Sequence, residues 1–143
     1  MPYTFTEEDA ESWVNMVAAM TAKQGHSTHW AIRRASDGYL VGSVSLLDLQ
    51  PGVPHASEIG GWMAKPYWGQ GIITEAGRAV LDFGFRDDVG MYRVFAYVFP
   101  NNAGSLRVLQ KLGFKVEGQL RKHRVGQGTL ADVVLLSKLK EDP

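Results

Sequence analysis

The chain has 143 residues, 45% of them hydrophobic, and it contains no cysteine. This length is typical of one domain with a substantial core, so we expect a single domain over residues 1–143. Fifteen basic residues balance fifteen acidic ones, which gives no global electrostatic support for nucleic acid or membrane partners. The absence of cysteine excludes disulfides, thiolate zinc sites and cysteine nucleophiles. No apolar run approaches the roughly 20 residues that span a bilayer, and the amino terminus has no basic segment followed by an apolar signal core, so the expected location is cytoplasmic.

Six segments have the composition of β-strands and are bounded by turn residues. Ser36, Asp37 and Gly38 predict a hairpin turn between the first two, in which glycine can supply a positive φ angle. Pro51 and Pro54 lie in the loop that precedes the third strand. The predicted strands are residues 29–34, 40–47, 57–63, 91–99, 114–120 and 130–139.

Three segments are predicted to be helices. The first begins at Thr6, which acidic residues follow, and ends at Gly25. The third covers residues 105–112 and ends at Gly113. The second has an apolar stripe that must lie against the sheet, formed by Ile72, Ile73, Ala76, Val80 and Phe83. These elements predict an α/β (α+β) fold in which helices pack on one mixed, twisted sheet of about six strands.

The most informative segment is Tyr67–Ala76, where Gly69 and Gly71 stand one residue apart between a predicted strand and a predicted helix. Glycine lets the backbone approach a ligand, and the N–H groups at a helix start favour phosphate oxygens. No lysine or serine follows Gly71 as in a P-loop, and the third glycine of a dinucleotide fingerprint is missing. The loop is therefore suited to a pyrophosphate held by main-chain N–H groups, although the two glycines alone are equally compatible with an ordinary tight turn.

A second motif, Asn102-x-x-Ser105, begins the third predicted helix, and this helix ends in the sequence Lys-Leu-Gly-Phe. Together with the Trp-Gly-Gln-Gly-Ile-Ile-Thr-Glu-Ala loop and the strands on either side, it resembles the acetyl-CoA-dependent N-acetyltransferases of the GNAT superfamily. The closest likeness is to the branch with the ribosomal-protein N-terminal acetyltransferases, and it covers residues 6–139. The resemblance implies a GNAT-like sheet, acetyl transfer to an amine, and acetyl-CoA as the cosubstrate.

The resemblance implies a set of cofactor-binding residues. In the family, the pantetheine arm pairs with the strand before the loop, which implicates Met63, and it also contacts the asparagine that matches Asn102. The sequence departs from the family pattern at Trp68, where Gln or Arg is usual, and at Ile73, where Gly or Ala is usual. The side chain of Ile73 itself is expected to belong to the core. The pyrophosphate would lie on the amides of Gly69, Gln70, Gly71, Ile72, Ile73 and Thr74.

Two residues are implied to be catalytic. The serine that matches Ser105 lies near the CoA sulfur in this branch, where it can protonate the leaving thiolate, an effect of about 10²–10⁴ in rate. Local sequence alone favours a helix-capping role for Asn102 and Ser105 instead. Glu58, on the strand before the loop, is the candidate base. Strand alternation puts Ser57 on the opposite face, and a bulge near Gly60-Gly61 would change which of the two faces the cleft.

The acceptor must be a neutral amine. An α-amino group, with a pKa of about 8, is more often neutral at pH 7 than a lysine amine near 10.4. The first choice is therefore a protein or peptide N-terminal amine, and a small-molecule amine or antibiotic is the alternative. His123 and Asp132 lie where family acceptors enter, or are only surface residues of the closing hairpin.

A different class of function also stays open, a non-catalytic CoA-binding sensor or interaction module. The presence of both Asn102 and Ser105 counts against it, because a binder needs no proton donor at the sulfur. We expect no metal, nucleic acid or membrane partner.

The amino terminus is short when judged by the resemblance, because relatives usually have a strand and a helix ahead of the segment that matches Met1–Thr6. The missing strand normally pairs with the one at residues 29–34, which is therefore expected to have an open edge. Trp30 and Ile32 on that edge favour a homodimer in which a second copy covers it. The alternative is an unusually open acceptor side with weak activity.

Overall fold

The computed structural model describes residues 28–47 and 55–143, together with the helical residues Asn15 and Ala19. The rest of the predicted first helix and most of the proline-containing loop lie outside the described residues. The strands are β1 (His29–Arg33), β2 (Leu40–Leu47), β3 (Ala56–Met63), β4 (Arg93–Val98), β5 (Lys115–Gly126) and β6 (Thr129–Leu139). The described helices are α1 (Ile72–Gly84) and α2 (Ala103–Lys111), with a short 3₁₀ turn at Lys65–Tyr67.

The six strands form one mixed sheet in the order β1-β2-β3-β4-β6-β5. Neighbouring strands are antiparallel except β3 and β4, which are parallel. A parallel pair needs a crossover connection, which α1 supplies. The predicted α/β fold class is confirmed, including the six-stranded mixed sheet.

Two strand boundaries differ from the prediction by more than one residue. β4 begins at Arg93 rather than residue 91, because Met91 N–H donates to Gly84 O instead of joining the sheet. β5 continues to Gly126, well beyond Leu120, because a bulge carries the strand through a polar stretch that has no alternating pattern.

Both described helices pack on one face of the sheet, called the helix face. On β4, Val94, Ala96 and Val98 point to this face and are at most 7% exposed. The alternating residues Phe95 and Tyr97 therefore point to the other face, called the second face. The rest of the buried cluster on the helix face is Val44, Leu46, Val80, Leu81, Leu109, Leu112, Phe114 and Leu136.

β1 lies at one end of the sheet and, in the described part of the chain, pairs only with β2. Trp30 and Ile32 are half-buried and pack against the core, with the Trp30 ring edge-on to Phe83 at a centroid distance of 5.3 Å. The apolar exposure that favoured a homodimer is therefore smaller than expected, and the homodimer stays a prediction.

Candidate active site

A cleft opens where the two parallel strands part. β3 and β4 are paired only from Ala56↔Arg93 to Glu58↔Phe95. Beyond this point β3 stays paired with β2 and β4 with β6. Among the described residues, no strand fills the gap between 59–63 and 96–98. Main-chain N–H and C=O groups on facing strand edges can pair with an extended ligand.

The glycine loop lies at the open end of this cleft and leads into α1. Gly69 and Gly71 have φ angles of 75° and 76°, in the left-handed region that favours glycine. Gly71 is the N-cap of α1, and no side chain caps the helix. A Cβ at either glycine would meet no atom within 4 Å, so backbone conformation and not crowding requires glycine here. The first N–H groups of α1 are left for a ligand at the positive end of the helix dipole.

Two side chains of the loop fold back, one onto the end of β3 and the other onto the 3₁₀ turn. The Trp68 indole N–H donates to the Met63 carbonyl at 2.7 Å, and Gln70 Nε2 donates to Pro66 O at 3.3 Å. Trp68, which departs from the family pattern, therefore acts as a hydrogen-bond donor that ties the loop to the strand end. One lone pair of the Met63 carbonyl remains for another partner.

The side chain of Ile73 is directed away from the loop, as expected of a core residue. It packs against the buried cluster, and its Cδ1 lies 3.6 Å from the position that a Cβ on Gly61 would take. The bulk of Ile73 therefore rests on β3. The main-chain N–H groups in the first turn of α1 are not blocked by this side chain.

Asn102 and Ser105 form the cap of α2. Asn102 Oδ1 accepts a hydrogen bond from Ser105 N–H at 3.1 Å, which is the capping arrangement. The Asn102 amide nitrogen and the half-buried Ser105 hydroxyl have no hydrogen-bond partner within the described ranges. Capping and ligand binding would therefore use different atoms of the same two residues. The two interpretations do not compete.

Glu58 lies on the second face at the closed end of the cleft. Its carboxylate is buried, and Oε1 accepts a hydrogen bond from Arg124 Nη2 at 3.2 Å. The β2–β3 register has no shift, so the predicted possibility of a bulge at Gly60-Gly61 is wrong. Ser57 consequently faces the helix side, where its hydroxyl donates to Leu47 O at 2.9 Å. The role of Glu58 as a base stays a prediction.

Arg124 and Tyr97 lie beside Glu58, and the sequence did not predict either of them as a site residue. The Arg124 guanidinium lies 4.8 Å from the centroid of the Tyr97 ring, and the His123 ring lies 5.0 Å from it. Glu58 and Arg124 are 66 residues apart in sequence, so no local pattern joins them. Only the alternation of Tyr97 with the buried residues of β4 could have indicated its face.

A bulge in β5 brings His123 and Arg124 to Tyr97. The register shifts between Leu120 and Arg124, and Lys122 within it has a φ of 49°. Asp132 accepts hydrogen bonds from Lys122 N–H and Gln119 Nε2, both at 2.9 Å. The first of these bonds, and then the second, lowers the pKa of the Asp132 carboxyl. Asp132 therefore fixes the bulge, in line with the hairpin role considered for it.

A second polar network joins three strands on this face. Arg93 donates to both oxygens of Glu117 at 2.6 and 2.7 Å, and Ser137 Oγ donates to Glu117 at 2.7 Å. Hydrogen bonds from Arg93, and then from Ser137, lower the pKa of Glu117 to about 2. The network ties β4, β6 and β5 together beside Phe95.

Within residues 28–47 and 55–143 and the two isolated helical positions, no helix is long and apolar enough to cross a membrane. No group of three or more His, Asp or Glu residues is arranged to hold a metal ion there. His29 Nδ1 lies 2.9 Å from Thr28 Oγ1.

A sheet parted between two parallel strands, with a glycine loop and a helix start at its open end, is the arrangement expected of an acetyl-CoA-dependent transferase. The family model described as acetyltransferase (GNAT) domain matches residues 1–115. The chain belongs to this family. The family predicted from the two motifs is confirmed, and so is the enzyme class at the level of the family.

Individual relatives agree with this assignment. The probable N-acetyltransferase YjcK of Bacillus subtilis is 40% identical over 114 residues, which cover 80% of this chain and 62% of YjcK. The chain thus spans less than two thirds of that relative. The ribosomal-protein-S5-alanine acetyltransferase of Vibrio fischeri is 26% identical with a TM-score of 0.84, over 96% of this chain and 74% of that one. RimJ of Mycobacterium smegmatis in complex with CoA-disulfide is 28% identical with a TM-score of 0.75, over 97% and 68%.

Proposed function

We propose that this chain is an N-acetyltransferase that moves the acetyl group of acetyl-CoA to a primary amine. The observation that carries this proposal is the parting of β3 and β4 at Glu58 and Phe95, with the glycine loop at the open end. A protein or peptide N-terminal amine is the first choice of acceptor. The V. fischeri relative is named as a ribosomal-protein-S5-alanine acetyltransferase, which supports this choice.

The cofactor side of the cleft has the donors that CoA needs. The N–H groups from Gly69 to Thr74 suit a pyrophosphate, because two left-handed glycines precede an uncapped helix start. The unpaired strand edges at 59–63 and 96–98 suit the amides of a pantetheine arm. The free amide nitrogen of Asn102 is a further donor. The CoA-disulfide complex of the RimJ relative is consistent with this reading.

The proposed reaction is a direct attack of the amine on the thioester carbonyl. The new C–N bond forms as the C–S bond breaks, and strand N–H groups polarise the carbonyl oxygen. The amine loses one proton to the Glu58 carboxylate through water, and the departing thiolate takes one from the Ser105 hydroxyl. Ser105 then regains a proton from solvent, and Glu58 releases its proton to solvent. In this proposal Ser105, on α2, approaches the cleft from the helix face, and Glu58 approaches it from the second face. The thioester and the amine would thus meet from opposite sides of the sheet.

The test combines cofactor binding with transfer to a panel of amines. Acetyl-CoA at a hundredfold excess over its Kd should stabilise the chain by about 2.7 kcal/mol, whereas NADH should not. Thiol release and the acetyl mass gain are then measured with N-terminal peptides, polyamines and aminoglycosides. Acetylation of peptide α-amines would support the proposal.

The other possible results distinguish the alternative acceptor class, a non-catalytic module and a wrong assignment of the cleft. Transfer only to small molecules would favour the alternative acceptor class. Stabilisation by acetyl-CoA without transfer to any amine would favour a CoA-binding module. A shift with NADH and none with acetyl-CoA would overturn the assignment of the cleft.

A further inference from the structure

We propose that Arg124 is a specificity-determining residue that selects acceptor amines carrying an anionic group close to the amine. This inference rests on the proposed function, because it names the class of acceptor for the same site. It comes from the ion pair of Arg124 with Glu58 and from the charges around that pair.

The ion pair lies at the closed end of the cleft, where the proposed transfer takes place. Glu58 belongs to the last residue pair before β3 and β4 part. Its side chain is 11% exposed, whereas that of Arg124 is 44% exposed. The carboxylate is therefore enclosed, and the guanidinium reaches it from the solvent side. An acceptor amine that approaches Glu58 meets Arg124 first.

The hydrogen bond between Arg124 and Glu58 can be replaced by a bond from Arg124 to another anion. Only one oxygen of Glu58 accepts from Arg124, at 3.2 Å, instead of the two parallel bonds that make Arg–carboxylate pairs strong. The Tyr97 ring under the guanidinium supplies a second, non-ionic contact. Arg124 can therefore turn from Glu58 toward another anion while it stays on Tyr97. The bulge fixed by Asp132 keeps its backbone in place.

The charges decide which acceptor can use this site. A simple ammonium group that displaces Arg124 from Glu58 leaves the guanidinium unpaired beside a like charge, which is unfavourable. Arg121 and Lys122, both exposed in the same bulge, add two positive charges, which the single negative charge of Asp132 offsets only in part. An acceptor with a neighbouring anion gives Arg124 a new partner and leaves Glu58 for the amine. A polyamine brings further positive charge and is disfavoured.

Two classes of acceptor carry an anionic group close to the amine. One is a polypeptide with an acidic side chain at its first or second residue, and the other is the α-carboxylate of a free amino acid. Both present an anion a few bonds from the amine. Their separate measurement distinguishes them.

The experiment compares kcat/KM for four acceptors: two peptides that differ only by Asp or Asn at the second residue, a free amino acid, and spermidine. These are measured on the unchanged chain, Arg124→Gln and Arg124→Lys. Arg86→Gln is the matched control, because it removes an exposed guanidinium that packs by Phe83 on the helix face. We expect the unchanged chain and Arg86→Gln to prefer the Asp peptide by about tenfold, a ratio typical of one favourable charge contact.

Arg124→Gln should abolish the preference for the Asp peptide and raise the relative rate with spermidine, whereas Arg124→Lys should keep part of the preference. The preference in the unchanged chain should also weaken at high salt, which checks the inference even if Arg124→Gln does not fold. Equal use of both peptides by the unchanged chain, or an unchanged preference in Arg124→Gln, would overturn the inference and leave the proposed function intact. Stabilisation by acetyl-CoA without transfer to any amine would overturn the proposed function, and this inference with it.

Discussion

The two faces of the cleft are built from different parts of the chain in different ways. At the glycine loop, the donors proposed for the pyrophosphate are main-chain N–H groups of one continuous segment, positioned by two left-handed glycines and a helix start. On the second face, the polar groups are side chains from β3, β4 and β5, and one ion pair joins residues 66 positions apart. The proposed pyrophosphate site is therefore local in sequence, and the proposed acceptor site exists only in the folded sheet.

This difference predicts how each side responds to substitution. Main-chain donors survive changes of side chain but fail when the backbone cannot take its conformation. Side-chain pairs tolerate modest backbone changes and fail when one partner is removed. Acceptor preference can thus vary among relatives that keep the same cofactor loop. Three predictions test this contrast, from the largest expected effect to the smallest.

Gly71→Val should abolish the stabilisation by acetyl-CoA, because a β-branched residue cannot easily take a φ of 76° and the loop must change its path. The measurement is the melting shift with acetyl-CoA. Gly128→Val is the matched control, since Gly128 has a φ of 80° at the β5–β6 turn and equally open surroundings. It should lower stability by a similar amount yet keep the full shift. A normal shift in Gly71→Val would show that the loop does not hold the cofactor.

Ser105→Ala should lower kcat by about 10²-fold or more and leave the affinity for acetyl-CoA nearly unchanged, as expected of a proton donor to the thiolate. The cap of α2 uses the main-chain N–H of Ser105, so the alanine variant keeps that hydrogen bond and should melt normally. Asn102→Ala is the comparison, because it removes the capping oxygen and should destabilise the chain by about 1 kcal/mol. A Ser105→Ala variant with its full rate would reduce Ser105 to a helix-start residue.

The sequence predicts the two faces unequally. The succession of the six strands along the chain, the α1 stripe and the glycine loop between strand and helix follow from local patterns, and the structure confirms their placement. The boundary of β5 and the contacts of Arg124 could not be predicted, because Asp132 fixes the bulge through a hydrogen bond to a main-chain group on the neighbouring strand. The face of Glu58 follows from simple alternation once the register of β2 and β3 is known, but the guanidinium above it depends on the whole closing hairpin.

The smallest effect concerns acid, which should weaken the Arg93–Glu117 network of the second face and leave the glycine loop unchanged. The folded pKa of Glu117, about 2, lies below its ordinary value of 4.5, so its contribution to stability is present above pH 4.5 and is lost as the pH falls toward 2. The Glu117 and Arg93 side chains are 38% and 29% exposed, which limits the contribution to about 1 kcal/mol. Glu117→Gln should therefore lower the free energy of unfolding by about this amount at pH 7 and by almost nothing near pH 2. Denaturant unfolding at several pH values measures the difference.

Asp82→Asn controls for the loss of one carboxylate, because Asp82 is exposed on α1 and forms no ion pair among the described residues. Its stability should follow that of the unchanged chain at every pH. The N–H groups of the glycine loop do not titrate in this range, so the acetyl-CoA shift should be as large in Glu117→Gln as in the unchanged chain at pH 7. If Glu117→Gln instead lost both stability and the acetyl-CoA shift, the two faces would be coupled through β4. The separation of a local cofactor side from a tertiary acceptor side would then be wrong.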